Sequence, residues 1–277
     1  MIAVSPVSQN FSLEAGGIYT GKIKVANPAN SKKNLSYIIS VAPYGVIGKE
    51  YNADLTTMYD RSMLVDWIKI DNPNGELRPN ETRDINFTIT VPKSAPPGGQ
   101  YASILVTEDD NGQFDKSENV GSVFEIASLI YSNVTGDIIS GGEVLENNIP
   151  GLVTSNPIIT SALISNTGNT HQVANISLKM VDNFGNEILS SNDDNSRHNE
   201  VILPETTRNI KYSLENIPIV GVVKVTQTIH YGDIESIETK DVVICPVWFM
   251  ALMLVLFIFV IWGIIVYIKK IFKKHRK

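Results

Sequence analysis

The sequence predicts an all-β protein, with two tandem immunoglobulin-like β-sandwiches followed by a single C-terminal transmembrane helix. Three observations lead to this prediction. Apolar and polar residues alternate in many short runs, turn-forming residues separate those runs, and one long uncharged apolar stretch follows near the C terminus. Alternation is typical of a strand that buries one face, whereas a long apolar helix satisfies its own backbone within a bilayer.

The clearest strand pattern covers residues 83–91, where Ile85, Phe87 and Ile89 alternate with polar residues. This period of two predicts a half-buried strand. The same period is seen in Tyr19, Gly21, Ile23 and Val25; in Leu35, Tyr37, Ile39 and Val41; in Ile176, Leu178 and Met180; and in Val223 and Val225. Turn signals separate these runs at residues 27–28, 110–112, 166–168 and 183–186. Short strands joined by such turns are typical of β-sandwiches.

An internal repeat indicates two similar halves. Residues 79–85 and 204–210 match at a proline, a threonine, an arginine and an isoleucine with identical spacing. Because proline suits a turn and not a central ladder, Arg83 and Arg208 are predicted to lie at strand starts, with a structural role. The predicted sandwiches are residues 1–130 and residues 131–244.

One segment of the first half, residues 43–66, lacks good alternation and contains Tyr44, Tyr51 and Tyr59. Loops on such scaffolds carry function, and tyrosine rings supply rigid contact area for a protein or stacking faces for sugars. These three tyrosines are therefore the candidate ligand contacts. The alternative is that they pack against the sandwich as a lid.

The apolar run near the C terminus is predicted to be a membrane anchor over residues 246–268. Its 22 residues from Val247 to Ile268 span about 33 Å as a helix, close to the thickness of a hydrocarbon core. Trp248, Trp262 and Tyr267 are the candidate interfacial residues. A buried core helix of a soluble protein is the alternative, but such helices rarely continue this long without a polar face.

A basic tail, residues 269–277, follows the anchor and begins with Lys269 and Lys270. Basic residues that flank a membrane helix stay cytoplasmic, so residues 1–244 are expected outside a cell membrane that the chain crosses once. A tail anchor with the rest of the chain in the cytosol would require this tail to cross the bilayer. Residues 1–6 lack the features of a signal peptide, so export is inferred from the anchor alone.

Charge and residue usage exclude several classes of function. Without the six basic residues after Ile268, 17 Lys and Arg stand against 29 Asp and Glu, a net charge of −12 that argues against nucleic-acid binding. Cys245 is the only cysteine, so no intrachain disulfide can form. The histidines before the anchor, His171, His198 and His230, have no partner at metal-ligand spacing. His171 and His230 are expected to be surface imidazoles. No catalytic, metal or cofactor site is expected, and the protein is predicted not to be an enzyme.

Several motifs resemble those of WxL-interacting surface proteins of bacteria. In the first half they are residues 67–68, 77–79, 85–92 and 95–102, and in the second half residues 166–169, 181–185, 203–208 and 231–232. The resemblance implies an envelope protein with two immunoglobulin-like domains, the first associated with peptidoglycan and the second with a surface or host ligand. The 43–66 segment departs from that pattern.

These observations together predict a non-enzymatic, membrane-anchored bacterial cell-surface binding or adhesion protein. Its expected partners are membrane lipid and either peptidoglycan, as the cell-wall polymer, or another cell-surface protein. The alternative is a structural spacer or scaffold that holds a partner above the membrane and binds nothing through a site of its own.

Overall fold

The structure, a computed structural model, describes residues 2–109, 124–190 and 196–274. It confirms a mostly β chain that ends in an apolar helix. The predicted turn at residues 110–112 and the end of the predicted tail, residues 275–277, lie outside the described residues.

Contacts divide the chain into two compact units. Unit 1 contains Met1–Gly142, Ser165–Gln172 and Ile202–Arg208, and unit 2 contains Glu143–Ile164, Val173–Val201 and Asn209–Lys277. The boundary predicted at residue 130 falls within a strand, Glu125–Val134, and the division into residues 1–130 and 131–244 stays a prediction.

The strands of unit 1 form two sheets and one small hairpin. The strands are β1 Ala3–Ser5, β2 Ser8–Leu13, β3 Ile18–Ala26, β4 Leu35–Pro43, β5 Gly45–Ile47, β6 Asn52–Asp54, β7 Ile68–Ile70, β8 Asn74–Leu77, β9 Thr82–Thr90, β10 Gly98–Glu108 and β11 Glu125–Val134, with a short helix α1 at Leu64–Trp67. The sheet orders are β1-β3-β9-β7 and β2-β11-β10-β4-β8, and β5 pairs with β6.

The predicted alternation over residues 83–91 is confirmed in β9. Ile85, Phe87 and Ile89 are buried, with exposed fractions of 3%, 0% and 0%. The Phe87 ring meets the edge of the Phe11 ring at a centroid distance of 6.0 Å. Gly21 on β3 makes room for Phe87, because a Cβ at position 21 would lie 2.2 Å from its Cζ atom. Packing against a ring therefore explains why an inward position of β3 carries glycine.

The remaining strands, which lie mostly in unit 2, form two further sheets. They are β12 Gly142–Asn148, β13 Leu152–Val153, β14 Ile158–Asn166, β15 Gln172–Asp182, β16 Glu187–Leu189, β17 Arg197–Ile202, β18 Thr207–Leu214, β19 Gly221–Tyr231 and β20 Ile234–Ile244. The orders are β12-β14-β18 and β13-β20-β19-β15-β16, with β17 also paired to β15. The predicted inward residues Leu178, Met180, Val223 and Val225 lie in one buried cluster.

The internal repeat corresponds to one local structure that occurs twice. Thr82 begins β9 and Thr207 begins β18, so the prediction that the repeat arginines lie at strand starts is confirmed. Asn80 and Glu205, at matching repeat positions, both adopt a left-handed backbone with φ of 65° and 60°. The turn before each strand therefore has the same shape in both copies.

A buried asparagine anchors each copy of the repeat. Asn27 donates its side-chain amide to the Leu77 carbonyl at 3.1 Å, and Asn166 donates to the Ile202 carbonyl at 2.9 Å. Each acceptor lies two residues before the repeat proline. Buried polar groups need such partners, and these bonds tie the Asn turn to the Pro turn in both copies.

The apolar C-terminal run forms helix α2, Val247–Lys274. Its first part, Val247–Lys269, is the one helix within the described residues that is long and apolar enough to cross a membrane, and none of it is buried. Trp248, Trp262 and Tyr267 are exposed on it, as an anchor would require.

Candidate functional site

The Asp54 carboxylate fixes a turn within the 43–66 segment. Asp54 accepts hydrogen bonds from the backbone N–H groups of Thr56 and Thr57 at 2.9 and 3.2 Å, and from the Tyr59 hydroxyl at 2.7 Å. The bonds from Thr57 and then Tyr59 hold the pKa of Asp54 well below its usual range. A short polar side chain that satisfies neighbouring N–H groups fixes a turn in a segment without strand alternation.

Tyr44 lies among aromatic rings of unit 1. Its side chain is 8% exposed, its ring meets the edge of the Tyr131 ring at 5.7 Å, and its hydroxyl accepts a hydrogen bond from the Tyr131 hydroxyl at 3.3 Å. Burial raises the pKa of Tyr131 above its ordinary value. This geometry favours the alternative in which Tyr44 packs against the sandwich as a lid over the one in which it contacts a ligand.

Tyr51 occupies a strained backbone conformation with φ of 61°, which is uncommon for a bulky residue. Its hydroxyl accepts a hydrogen bond from the Leu203 N–H at 2.6 Å and lies 2.5 Å from the Thr206 hydroxyl. The Arg208 guanidinium stands 4.7 Å from its ring centroid. Burial raises the pKa of Tyr51. These contacts within unit 1 hold the strained residue in place.

Tyr59 packs its ring directly against the backbone at Gly45, where a Cβ would lie 2.2 Å from the ring. Its hydroxyl donates to Asp54, and this hydrogen bond raises the pKa of the phenol. The ring stays partly exposed. Of the three candidate tyrosines, Tyr59 therefore combines a fixed position with an accessible face.

His171, which the sequence predicts to be a surface residue, packs among these aromatic rings. The centroid of the His171 ring lies 5.6 Å from that of Tyr101 and 5.4 Å from that of Tyr131, and the His171 backbone N–H donates to the Tyr101 hydroxyl at 2.9 Å. Burial lowers the pKa of His171, so it is not the simple surface imidazole expected from its turn. His198 stacks on Tyr212 at a centroid distance of 4.1 Å.

A cleft of about 550 Å³ opens beside these residues in unit 1. Its lining consists of Tyr44, Gly45, Val46, Tyr59, Asp60, Arg61, Met63, Pro96, Gln100, Tyr101, Leu203, Pro204, Glu205 and Thr206. This volume falls within the range of ligand sites, about 300–1,000 Å³. Tyr44 and Tyr59 are thus brought together at the cleft, whereas Tyr51 does not line it.

Polar groups frame the apolar part of the cleft. The Arg61 guanidinium pairs with the Glu205 carboxylate at 3.0 Å, and the Met63 N–H donates to the Gln100 side-chain oxygen at 3.2 Å. The Met63 side chain is 42% exposed, and Ile47 and Met58, next in sequence to lining residues, are each 57% exposed. Sequence reasoning missed Arg61 and Gln100, and it did not select Met63 as a ligand contact. The methionine content of the segment was the available signal.

Within residues 2–109, 124–190 and 196–274, no group of three His, Cys, Asp or Glu side chains is placed to hold a metal ion. The prediction that the protein is not an enzyme stays a prediction, as does the assignment of Tyr44, Tyr51 and Tyr59 as ligand contacts.

No protein-family model matches the sequence, and no curated protein matches it either. Solved structures that match include the class 5 fimbriae chaperone CfaA, at 15% identity and a TM-score of 0.41 over 87% of this chain and 99% of that one. A chaperone–tip adhesin complex of CFA/I fimbriae matches at 16% identity and a TM-score of 0.40, over 87% of this chain and 98% of that one. The Salmonella enterica SafA pilin complex with the SafB chaperone matches at 10% identity and a TM-score of 0.41, over 88% of this chain and 96% of that one.

These matches correct one prediction. They are chaperones and chaperone complexes of fimbriae, so the predicted function as a membrane-anchored adhesion protein that engages cell-wall polymer is wrong and is not carried further. At these identities and TM-scores the matches assign no function of their own to this chain. Membership in the WxL-interacting family stays a prediction.

Proposed function

We propose that this chain is a single-pass membrane protein that holds an extended segment of another exported polypeptide in the cleft of unit 1. In this proposal Val247–Lys269 is the transmembrane anchor, Lys269 and Lys270 stay cytoplasmic, and residues 1–244 lie outside as two immunoglobulin-like sandwiches. The observation that carries the proposal is the lining of the cleft by the exposed Met63 and the partly exposed Tyr59.

The apolar lining suits a polypeptide of variable sequence. Methionine is unbranched and polarizable, so its side chain adapts to differently shaped partners and is common on surfaces that bind many sequences. Met63 and Tyr59 supply one adaptable and one rigid apolar surface in the same cleft. A site built for a single rigid ligand would instead be expected to hold several fixed polar groups.

The polar frame supports an extended segment as the ligand. Arg61 and Glu205 provide a cation and an anion at the edge of the cleft, and they neutralise each other. Glu205 remains 70% exposed in its side chain, so the pair is accessible to solvent and to a partner. Charges of both signs beside an apolar lining fit the mixed polar and apolar side chains of a polypeptide.

The fixed position of the lining keeps the cost of binding low. Asp54 fixes the Tyr59 hydroxyl, and the Tyr51 contacts fix the turn that contains Leu203 and Thr206. A preorganised lining loses little conformational entropy when a ligand enters, which improves affinity without new contacts.

Binding of a chemically unfolded, fluorescently labelled polypeptide to the full chain in detergent micelles, measured by anisotropy, tests the proposal. Met63→Glu should weaken binding at least tenfold, because it places a charge in the apolar part of the cleft. Ile18→Glu, at a 70% exposed position of β3, is the matched control and should leave affinity unchanged. Equal affinities for both variants, or no binding by the unaltered chain, would contradict the proposal.

A further inference from the structure

One end of unit 2 exposes large apolar side chains in its turns. Phe184, in the turn between β15 and β16, is 90% exposed, and Ile219, in the loop before β19, is 75% exposed. Leu152 on β13 is 57% exposed. Single exposed apolar residues are ordinary, whereas several of them at one end of a sheet are a candidate interaction surface.

The strand registers place these side chains at the same end of the sheet. Gly221 pairs with Ile244, so the residues that precede Gly221 lie beyond the last residue of β20. Asp182 pairs with Val223, so the turn that follows Asp182 projects in that direction too. Leu152 pairs with Val243 in parallel, close to the same level.

Helix α2 leaves the sheet from this end with almost no linker. The Cys245 N–H still donates to the Val153 carbonyl at 2.9 Å, so strand pairing continues to that residue. The Phe249 N–H donates to the Pro246 carbonyl at 2.9 Å, and the helix begins at Val247. The end of the sheet is therefore held close to the start of the apolar helix.

Ile219 and Phe184 lie close enough to the start of α2 to reach the lipid headgroup layer. Ile219 lies two residues beyond Gly221, which brings it level with about Pro246. Phe184 lies two residues beyond Asp182, level with about Ile244, or roughly 10 Å from Val247 at about 3.3 Å per residue. The polar zone extends roughly 5–8 Å beyond the hydrocarbon on each side, and the Phe184 ring covers the remaining distance.

The turn presents Phe184 on a fixed backbone. The Asp182 carboxylate accepts hydrogen bonds from the N–H groups of Phe184 and Asn186, each at 2.8 Å. Gly185 adopts φ of 86°, a conformation in which glycine has no steric penalty. An aromatic ring held outward by such a turn can enter a lipid surface with little loss of conformational entropy.

We propose that Phe184 and Ile219 insert into the headgroup layer of the bilayer that α2 crosses, so that this end of unit 2 rests on the lipid surface. This inference rests on the membrane anchor of the proposed function. The occupant is a lipid surface because the anchor begins within a few residues of the same end. Both side chains are uncharged, so their contact with lipid is apolar and should be insensitive to salt.

The test uses the full chain in phosphatidylcholine vesicles, with Cys245→Ser as background and one new cysteine carrying an environment-sensitive fluorophore. We compare the fluorescence of each label in vesicles with and without brominated acyl chains, which quench it. The labelled variants are Phe184→Cys, Asp233→Cys and Met253→Cys. Asp233 lies in the β19–β20 turn at the opposite end of the sheet and is the matched control.

Quenching at position 184 should exceed quenching at position 233 at least threefold, at both low and high salt. Equal quenching at 184 and 233, with strong quenching at 253, would overturn this inference and leave the anchor intact. Absence of quenching at 253 would overturn both the anchor and this inference. Quenching at 184 that disappears at high salt would refute the apolar contact.

Discussion

Phe87→Ala is the substitution that tests the core of unit 1 most sharply. Phe87 is fully buried and meets the edge of Phe11 at 6.0 Å. Loss of a buried phenylalanine costs about 3–5 kcal/mol through lost transfer free energy and the cavity that remains. Because position 21 is glycine, that position offers no side chain to fill the cavity. The loss should therefore lie in the upper part of this range.

Hydrogen exchange of the β3 and β9 amides in the full chain, in detergent micelles, measures this loss. A destabilisation of about 3–5 kcal/mol corresponds to a fall in protection of roughly a hundred- to several-thousand-fold for amides that exchange through opening of unit 1. Ile18→Ala, at a 70% exposed position of the same sheet, is the control and should change stability by less than about 0.5 kcal/mol.

Gly21→Ala provides an independent check on the same packing. The new Cβ would lie 2.2 Å from Phe87 Cζ, and overpacking of this kind costs about 1–3 kcal/mol. In the Phe87→Ala background that clash is absent, so the two effects should be far from additive. A loss below about 1 kcal/mol for Phe87→Ala, or full additivity, would refute the packing described for β3 and β9.

Three further predictions concern unit 1 and the anchor. Asn166→Ala should lower the free energy of unfolding by about 1–3 kcal/mol, measured by the same exchange method, because the buried Ile202 carbonyl loses its donor. Burial lowers the pKa of His171 in the folded chain, so the unfolded chain binds a proton at this residue more readily. The free energy of unfolding should therefore fall as the pH drops below about 6.5. The melting temperature of His171→Asn should depend less on pH in that range. Replacement of Lys269, Lys270 and the other basic tail residues by neutral ones should reduce the fraction of chains whose residues 1–244 are digested by protease added outside intact cells. Unchanged digestion would show that another signal sets the orientation.

The strands and the apolar helix were predictable because their signals are local. Alternation at Ile85, Phe87 and Ile89 depends on a period that any half-buried strand must show. The repeat identified the starts of β9 and β18, since proline and a left-handed residue restrict the backbone independently of the rest of the chain.

The cleft was only partly predictable because residues distant in sequence line it. Tyr44 and Tyr59 were candidates from composition, but Gln100 and Glu205 join them only through folding. His171 carries no local signal of burial, because its environment comes from Tyr101 and Tyr131. Composition can suggest that a segment is unusual, whereas contacts between distant residues decide which of its side chains remain accessible.

Photo-crosslinking from position 63 in native membranes tests the central claim most directly. A photoreactive amino acid at Met63 reacts with whatever occupies the cleft, and mass spectrometry identifies the class of the adduct. The proposal predicts adducts with segments of other exported polypeptides, and far fewer from the same group placed at Ile18. Adducts with glycan strands, or equal yields from both positions, would contradict polypeptide holding by the cleft.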